Sequence, residues 1–357
     1  MSLSSLTIQN FRNIESTELE LSPSLNVIFG QNGSGKTSLL EAINYLSSAH
    51  SFRTQNVEAL IRHEQQSFIV AATLLHEGHK TRIGIRRSKR QVLRRINQET
   101  INRQIQITHL LPVRVLHPDS HKLVSGSPRN RRSYLDWGCF YYHSDFYPTW
   151  AATNTLLKQR NALLKSGYNR RVLEAVDQEY IRLSEKLDKI RSNYISELLP
   201  ILNIYSGQLL VEKAEVGIEY ERGWKQTLAE QLHSDSLRDH KFKRTHSGPH
   251  RADIKITFNE IDARQNASRG QQKLIVVLLT LGQIKHFYNT AHTSGILLID
   301  DLPSELDRDH QSRFVAAVKD LKQQTFITAI DPSSMDLSQW QESLMFHVKH
   351  GCFTEVL

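Results

Sequence analysis

Gly30 to Thr37 reads GQNGSGKT, which matches the phosphate-binding loop pattern G-x-x-x-x-G-K-[ST]. No other stretch restricts the fold as much, because such a loop needs a buried strand before it and a helix N-terminus behind it. Both flanks are present. Leu25 to Phe29 (LNVIF) is a continuous apolar run, and Leu39, Leu40, Ile43 and Leu46 recur at helical spacing. The glycines Gly30, Gly33 and Gly35 let the backbone amides turn inward as a nest for an anion. Lys36 supplies a charge for the β- and γ-phosphates, and Thr37 a hydroxyl for Mg²⁺. The alternative is a glycine-rich turn that merely precedes a helix, and the two correct flanks count against it.

A second segment completes the reading. Gly295 to Asp301 (GILLIDD) is an apolar strand that ends in two carboxylates. This is the composition of a Walker B strand. Held in the sheet beside the loop strand, it would bring Asp300 to the Mg²⁺ shell and Asp301 to the attacking water. Alone it would be only a parallel strand with an acidic end. Lys36 and Asp300 are separated by 264 positions, so one nucleotide fold is split around a large insertion. Small phosphate-loop kinases and GTPases are not built this way, and no N-K-x-D guanine-reading motif occurs.

Just upstream, Ser268-Arg269-Gly270-Gln271-Gln272-Lys273 opens a helix with an apolar face of Leu274, Ile275, Val277, Leu278, Leu281 and Ile284. A hydroxyl and a glycine at a helix N-terminus make an anion site; the plainer reading is an N-cap serine before an amphipathic helix. The order decides between them. Phosphate loop, insertion, S-x-G-Q helix, Walker B and Ser304 to Asp307 (SELD) follow one another as in an ABC-type ATPase head. The expected fold class is therefore α/β: an ABC-type, SMC-head-like P-loop ATPase with a split nucleotide-binding lobe and an inserted helical hairpin lobe. The nucleotide contacts are Gly30, Gln31, Asn32, Gly33, Ser34, Gly35, Lys36, Thr37 and Ser38, joined by Arg12, Gly270 and Gln271. ATP and Mg²⁺ are the expected cofactors, with Thr37 and Asp300 on the metal and Lys36, Asp300, Asp301 and Ser268 in catalysis.

Elsewhere the pattern is coarser. Residues 3 to 29 alternate around Phe11-Arg12-Asn13 as two strands feeding the loop strand, and Phe68 to Leu75 and Thr81 to Ile96 read as further strands. Pro112 to Leu116 is another, followed by a loop. From about Trp150 the period becomes helical: one helix stops near Gly167, and a second carries Leu173 to Leu198 and ends at Pro200. Strand pattern returns at Ile254 to Phe258. The expected head is 1–145 with 246–357, and the inserted lobe 146–245. Lys and Arg number 45 against 37 Asp and Glu, a net charge of +8, which biases the chain toward polyanionic partners. The two cysteines, Cys139 and Cys352, have no metal-ligand spacing, so neither a disulfide framework nor a zinc site is expected. No secretory leader and no apolar run near the ~20 residues of a membrane span is visible, as for a soluble intracellular protein.

At this point the chain resembles the RecF family throughout its length. The resemblance rests on FRN (11–13), NVIFGQNGSGKTSLLEAI, SFRT (51–54), GSPRNRRSYLD (Gly126 to Asp136), HSGPHRADI (His246 to Ile254), SRGQQK and LLIDDLPSELD. It implies a cytoplasmic, ATP-dependent DNA-binding protein that forms a homodimer on nucleotide. Such a protein acts with RecR and RecO to help load RecA at gaps and single/double-strand junctions, and has a weak, DNA-stimulated ATPase. The family is similar to SMC and ABC heads without the long coiled coil. Two departures from ABC heads are visible: Thr328 stands where a switch histidine would fall, and Asp301 replaces the usual glutamate. Both point to slow hydrolysis. Asp119 in HPDSH is a candidate to sense Mg²⁺ in place of a glutamine. A transporter ATPase subunit is opposed by the long separation, the missing histidine and the basic surface, and an SMC-like structural protein by the missing coiled coil.

Seven basic residues and no acid lie between Arg82 and Arg95: Arg82, Arg86, Arg87, Lys89, Arg90, Arg94 and Arg95. They are either a solvated hairpin edge or contacts to DNA phosphates that read no sequence. Arg129, Arg131 and Arg132, and the group Lys241, Lys243 and Arg244, are further candidates. Aromatic residues are not regularly interleaved with these runs, which favours duplex backbone over stacked single strand.

Overall fold

The computed structural model describes residues 1–167, 170–210, 214–301, 307–334, 340 and 342–356. Residues 1–120 and 287–357 form one compact unit, and residues 121–286 another.

In the first unit, β1 (Ser2–Phe11) and β2 (Ile14–Glu20) make a hairpin at Arg12-Asn13, and β3 (Leu25–Phe29) enters the glycine-rich loop ahead of α1 (Lys36–Ser48). A meander of β4 (Ser67–His76), β5 (His79–Ser88), β6 (Val92–Ile96) and β7 (Glu99–Ile101) follows, then α2 (Ile105–Leu110) and β8 (Val113–Leu116).

The second unit holds α3 (Lys122–Ser125), α4 (Pro128–Tyr142), α5 (Phe146–Ser166), α6 (Arg170–Leu209) and β9 (Val216–Glu221). It continues with α7 (Leu228–Ser234), α8 (Ser236–Phe242), β10 (Asp253–Phe258), β11 (Ile261–Asp262) and α9 (Ala263–Asn266). The boundary to the first unit falls inside α10 (Arg269–Ala291). The chain ends with β12 (Ile296–Ile299), α11 (Arg308–Asp320), β13 (Gln324–Ala329), β14 (Ser343–Lys349) and β15 (Cys352–Val356).

Among the described residues the first unit has two six-stranded sheets. One is antiparallel, in the order β2-β1-β4-β5-β6-β7; the other runs β15-β14-β3-β13-β12-β8 and is parallel except for β15. β12 is therefore not beside β3, as expected from the sequence. β13 lies between them, pairing Ile327 with Val27 on one side and Ile299 on the other. The helix α1 supplies Leu39, Leu40, Ile43 and Leu46 to one core shared with the inner faces of both sheets. Phe11, Tyr45 and Phe68 close that core, with Phe68 edge-on to each of the other rings at 4.9 and 5.1 Å. This core anchors the start of α1, and with it the loop.

The helical region of the second unit begins earlier than its periodicity announces. Pro128 sits at the first helical position of α4, behind Ser127, where its missing N–H is no loss. Helix α6 runs 40 residues, about 60 Å at ~1.5 Å per residue, and Pro200 lies inside it rather than ending it. Pro200 is exposed, while Tyr194, Leu198, Leu202, Tyr205 and Leu209 are buried on both sides of it. Side-chain packing over two further turns outweighs one lost backbone bond. Helix α4 packs on α6 and β10, so residues 121–145 and 246–286 group with the helical insertion. The expected boundaries at 145/146 and 245/246 lie inside that packed unit.

A buried ion network joins the hairpin helices to the following segment. Arg160 Nε donates to Asp177 at 2.7 Å, and its Nη1 to Asp239 at 2.6 Å and to Thr245 Oγ1 at 2.8 Å. Asp239 is 0% exposed, and the guanidinium shares it with the His246 backbone N–H and ring Nδ1. Arg160→Leu is expected to destabilise the protein by about 3–5 kcal/mol, because the buried Asp239 carboxylate loses its guanidinium; urea unfolding followed by circular dichroism measures it.

Candidate nucleotide site

The loop between β3 and α1 is shaped by contacts outside itself. Gly30 has φ 144°, and a Cβ there would stand 2.5 Å from the Val348 carbonyl of β14. Gly35, at φ 127°, would meet the Asn13 side chain at 3.2 Å. Asn13 is the strap that holds the loop. Its Nδ2 donates to the carbonyl of Ser34 at 3.0 Å, and its Oδ1 accepts the Ser38 hydroxyl at 2.9 Å. From the other side the Gly351 N–H, in the β14–β15 turn, donates to Ser34 O at 2.7 Å.

Within the loop Lys36 is buried, its Nζ donating to the carbonyls of Gly30 at 2.7 Å and Gln31 at 3.2 Å. Ser34 Oγ is buried with no hydrogen-bond partner among the described residues. An orphaned hydroxyl and a buried ammonium at a helix start fit an oxyanion of high charge. A cavity of about 710 Å³ opens here, lined among others by Asn32, Gly33, Gly35, Lys36, Thr37 and Asp301.

The carboxylates come from the end of β12. Asp300 Oδ1 accepts the hydroxyls of Thr37 and Thr328, each at 2.9 Å. Thr328, on the intervening β13, also accepts the Asp301 N–H at 2.8 Å. Burial pushes the Asp300 carboxyl above its ordinary pKa, and the two hydroxyl donors partly offset this. The Thr37 hydroxyl and the Asp300 carboxylate are adjacent hard oxygen donors at the loop mouth, a donor set suited to Mg²⁺. Asp301 has φ 50°, a left-handed conformation in which Asp is enriched relative to most side chains. That backbone accounts for a short carboxylate at this position.

Several expectations need amendment. Arg12 lines the cavity, but its fork is engaged: Nε and Nη2 bond Glu41 at 2.9 and 2.8 Å, and Nη1 bonds the Ala59 carbonyl at 2.8 Å. Glu41 is fully buried and also accepts from Ser51. Arg53 stands 4.0 Å from the same carboxylate, half exposed on the cavity. Asn13, Arg53 and the wall from Ala59 to Glu64 are cavity residues without an assigned role in the sequence reading. FRN and SFRT carried a family signal for the first two; nothing local marks the wall. Asp119 lies on the exposed turn Pro118–His121, and the cavity lining does not include it. Of SELD, residues 304–306 lie outside the described residues.

In the second unit Ser268 caps α10. Its hydroxyl accepts the Gln271 N–H at 3.3 Å, and Gln271 Oε1 accepts the Ser268 N–H at 2.8 Å, a reciprocal cap. Ser268, Arg269 and Gly270 are exposed, while the Ser268 and Gln271 amides are taken up within the cap.

The basic run divides. Alternate strand residues face opposite sides, and the β5–β6 register sets Arg82, Gly84 and Arg86 with Leu93 and Arg95 on the outer face. There Ile69, Ala71 and Gly84 floor a cavity of about 470 Å³ between Arg82, Arg86 and Arg95. Arg87 and Arg94 point to the other face, where Arg94 bonds Gln104 at 2.9 Å and Gln104 bonds the carbonyls ending α1. Lys89 pairs with Glu58 at 3.1 Å, and Arg90 is exposed. In the second unit Arg129 is exposed, and Arg132 donates to the Ala252 carbonyl at 2.9 Å. Arg131 is withdrawn from the phosphate candidates: it is buried and forked onto Asp253 by two 2.8 Å bonds.

Residues 2–353 match the model of the RecF/RecN/SMC N terminal domain. DNA replication and repair protein RecF of Shewanella baltica (strain OS223) is 37% identical over 360 residues, covering 100% of both chains. The chain belongs to the RecF family. Its ABC-type α/β fold is that of the family's solved structures. A structure described as the recombination mediator protein RecF-ATP in the RecFOR pathway superposes with a TM-score of 0.88 at 24% identity, covering 100% of this chain and 98% of that one. An Smc head domain from Pyrococcus furiosus, with an extended coiled coil and bound to the C-terminal domain of ScpA, gives 0.61 at 14% identity, covering 99% and 96%. Among the described residues of this family member, no helix is long and apolar enough to cross a membrane.

Thr328→Val keeps the shape but removes the acceptor of the half-buried Asp301 N–H and one hydroxyl donor of the buried Asp300 carboxylate. The expected cost is about 1–3 kcal/mol. Thr328→Ser should recover most of it, as read from chemical unfolding of the three proteins side by side.

Proposed function

We propose that this protein is a cytoplasmic, ATP-dependent DNA-binding protein of recombinational repair, in which an ATP-driven homodimer engages DNA at gaps or single/double-strand junctions. The observation that carries the reading is the Thr37–Asp300 pair at the mouth of a loop with a buried lysine and an orphaned serine. In this proposal Lys36 and the loop amides bind the triphosphate. Thr37 and Asp300 hold Mg²⁺, which when bound would neutralise phosphate charge. Asp301 orients and polarises water, held in place through its amide by Thr328. A short carboxylate at Asp301, with Thr328 standing where a switch histidine would fall, gives slow turnover suited to resetting the dimer, with DNA stimulating it.

Support for the partners is of two kinds. The RecF relatives are named for DNA replication and repair, and the solved neighbour is described as an ATP-bound mediator of the RecFOR pathway. By that kinship RecR and RecO are the proposed associates, and help in loading RecA the proposed outcome. On this chain the outer-face arginines Arg82, Arg86 and Arg95 present charge without a base-reading element, as sequence-independent phosphate contact requires.

The exposed cap of α10 supplies the proposed dimer contact. Two copies related by a two-fold axis would each present Ser268, Gly270 and the helix amides to the other's nucleotide. Ser268→Arg is expected to leave ATP binding to the monomer intact while abolishing ATP-dependent dimerisation in sedimentation velocity. A normal dimer would remove Ser268 from the interface. For DNA, Arg86→Glu with Arg95→Glu should weaken binding equally for unrelated duplexes. It should also lower the log–log salt slope by about 0.9 per lost contact. Unchanged affinity and slope, measured by anisotropy titration, would make that face a solvated edge.

A further inference from the structure

The turn after α8 presents an arrangement that the nucleotide site and the β5–β6 face do not use. Phe242 is 53% exposed and Leu237 87% exposed. Around that ring the chain places Arg238, Lys241, Lys243 and Arg244, all exposed. Lys241 Nζ stands 5.8 Å from the ring centroid, and the Arg244 guanidinium carbon 6.0 Å. The acid of this stretch, Asp239, points inward and is fully buried on Arg160. The outer surface of residues 237–244 therefore carries cations and apolar groups and no carboxylate.

The arrangement is held rigidly. Lys243 takes a left-handed conformation, φ 53°, that ends α8, with its N–H on the Asp239 carbonyl. The Arg244 N–H bonds that carbonyl too, at 3.2 Å, and its Nε reaches His246 Nε2 at 3.3 Å. His246 bonds Asp239 through both its backbone N–H, at 3.1 Å, and its ring Nδ1, at 2.7 Å, and packs edge-on to Phe242 at 5.6 Å. The buried Arg160–Asp239–His246 network thus fixes the exposed ring from below.

We propose that the Lys241–Arg244 turn is a docking point for an unpaired nucleobase of a DNA strand, with Phe242 as the stacking surface and Lys241, Lys243 and Arg244 on the flanking phosphates. The inference rests on the DNA-binding reading above and narrows it to a single-stranded element. A protein pocket that swallowed the ring would strip water from cations that meet no carboxylate among the described residues, whereas a nucleic acid strand satisfies ring and cations together. Stacking needs no particular base, since every base offers a π-face.

The test compares one duplex, blunt, with the same duplex carrying a short single-stranded gap, at one fixed salt concentration, for wild type, Phe242→Ala and Phe242→Trp. Phe242→Ala is expected to weaken binding to gapped DNA by about 5- to 150-fold and to blunt duplex by less than about twofold, with Phe242→Trp near wild type. A 2-aminopurine in the gap should be quenched by wild type and not by Phe242→Ala. Equal loss on both DNAs, or no loss on gapped DNA, overturns the proposal, the latter leaving the ring as an anchor for a protein partner. Wild type that binds neither DNA overturns the DNA-binding reading itself.

Discussion

The parallel pairing of β3, β13 and β12 sets the spacing on which the nucleotide site depends. Strands stand roughly 4.8 Å apart, so residues at matching heights on two strands separated by a third cannot touch by backbone alone. Here the gap is bridged by side chains. Thr37, one residue into the helix behind β3, and Thr328, near the end of β13, both reach Asp300 at the end of β12. A shift of one residue in any of the three strands would turn these groups to the other face of the sheet. A one-residue slip of β12 would draw the Asp300 carboxylate into the apolar stretch that ends at Ile299 and away from its hydroxyl donors, which a buried charge resists.

The same logic explains why the loop is held from outside as well as by its own glycines. A phosphate nest gains little from hydrophobic burial and must be kept in shape by hydrogen bonds whose ends are themselves anchored. Asn13 is anchored by the β1–β2 hairpin and the Gly351 amide by β14–β15, and both reach Ser34. Both hairpins close on the core built around Leu39, Leu40, Ile43 and Leu46. The loop is thus pre-organised by packing that lies largely outside its own motif.

Charge in this chain is sorted by where each strand or helix points it. Arg131, Arg160 and Arg191 are nearly or fully buried, each on a carboxylate, and serve the second unit's cohesion. Arg82, Arg86 and Arg95 reach solvent on one sheet face, while Arg87 and Arg94 turn to the other. A net charge of +8 therefore understates how strongly particular surfaces are biased and overstates others.

What the sequence by itself determined is the local chemistry: the GQNGSGKT loop between a buried strand and a helix, the acidic end of ILLI, and the start of α10 at Ser268. Those signals are short, and their meaning comes from residues within a turn or two of each other. The motif order along the chain was enough to specify the α/β class and the split lobe. Tertiary structure alone decided the rest. Strand order is a long-range outcome, so the insertion of β13 between β3 and β12, and with it the bridging role of Thr328, has no local mark. Pro200 read as a stop because propensity is local, whereas the packing that carries α6 past it comes from Leu202, Tyr205 and Leu209 on a shared face. Seven basic residues in one run look alike in sequence. Only the period-two geometry of paired strands separates Arg82, Arg86 and Arg95, which meet solvent, from Arg94, which is held through Gln104 over the end of α1.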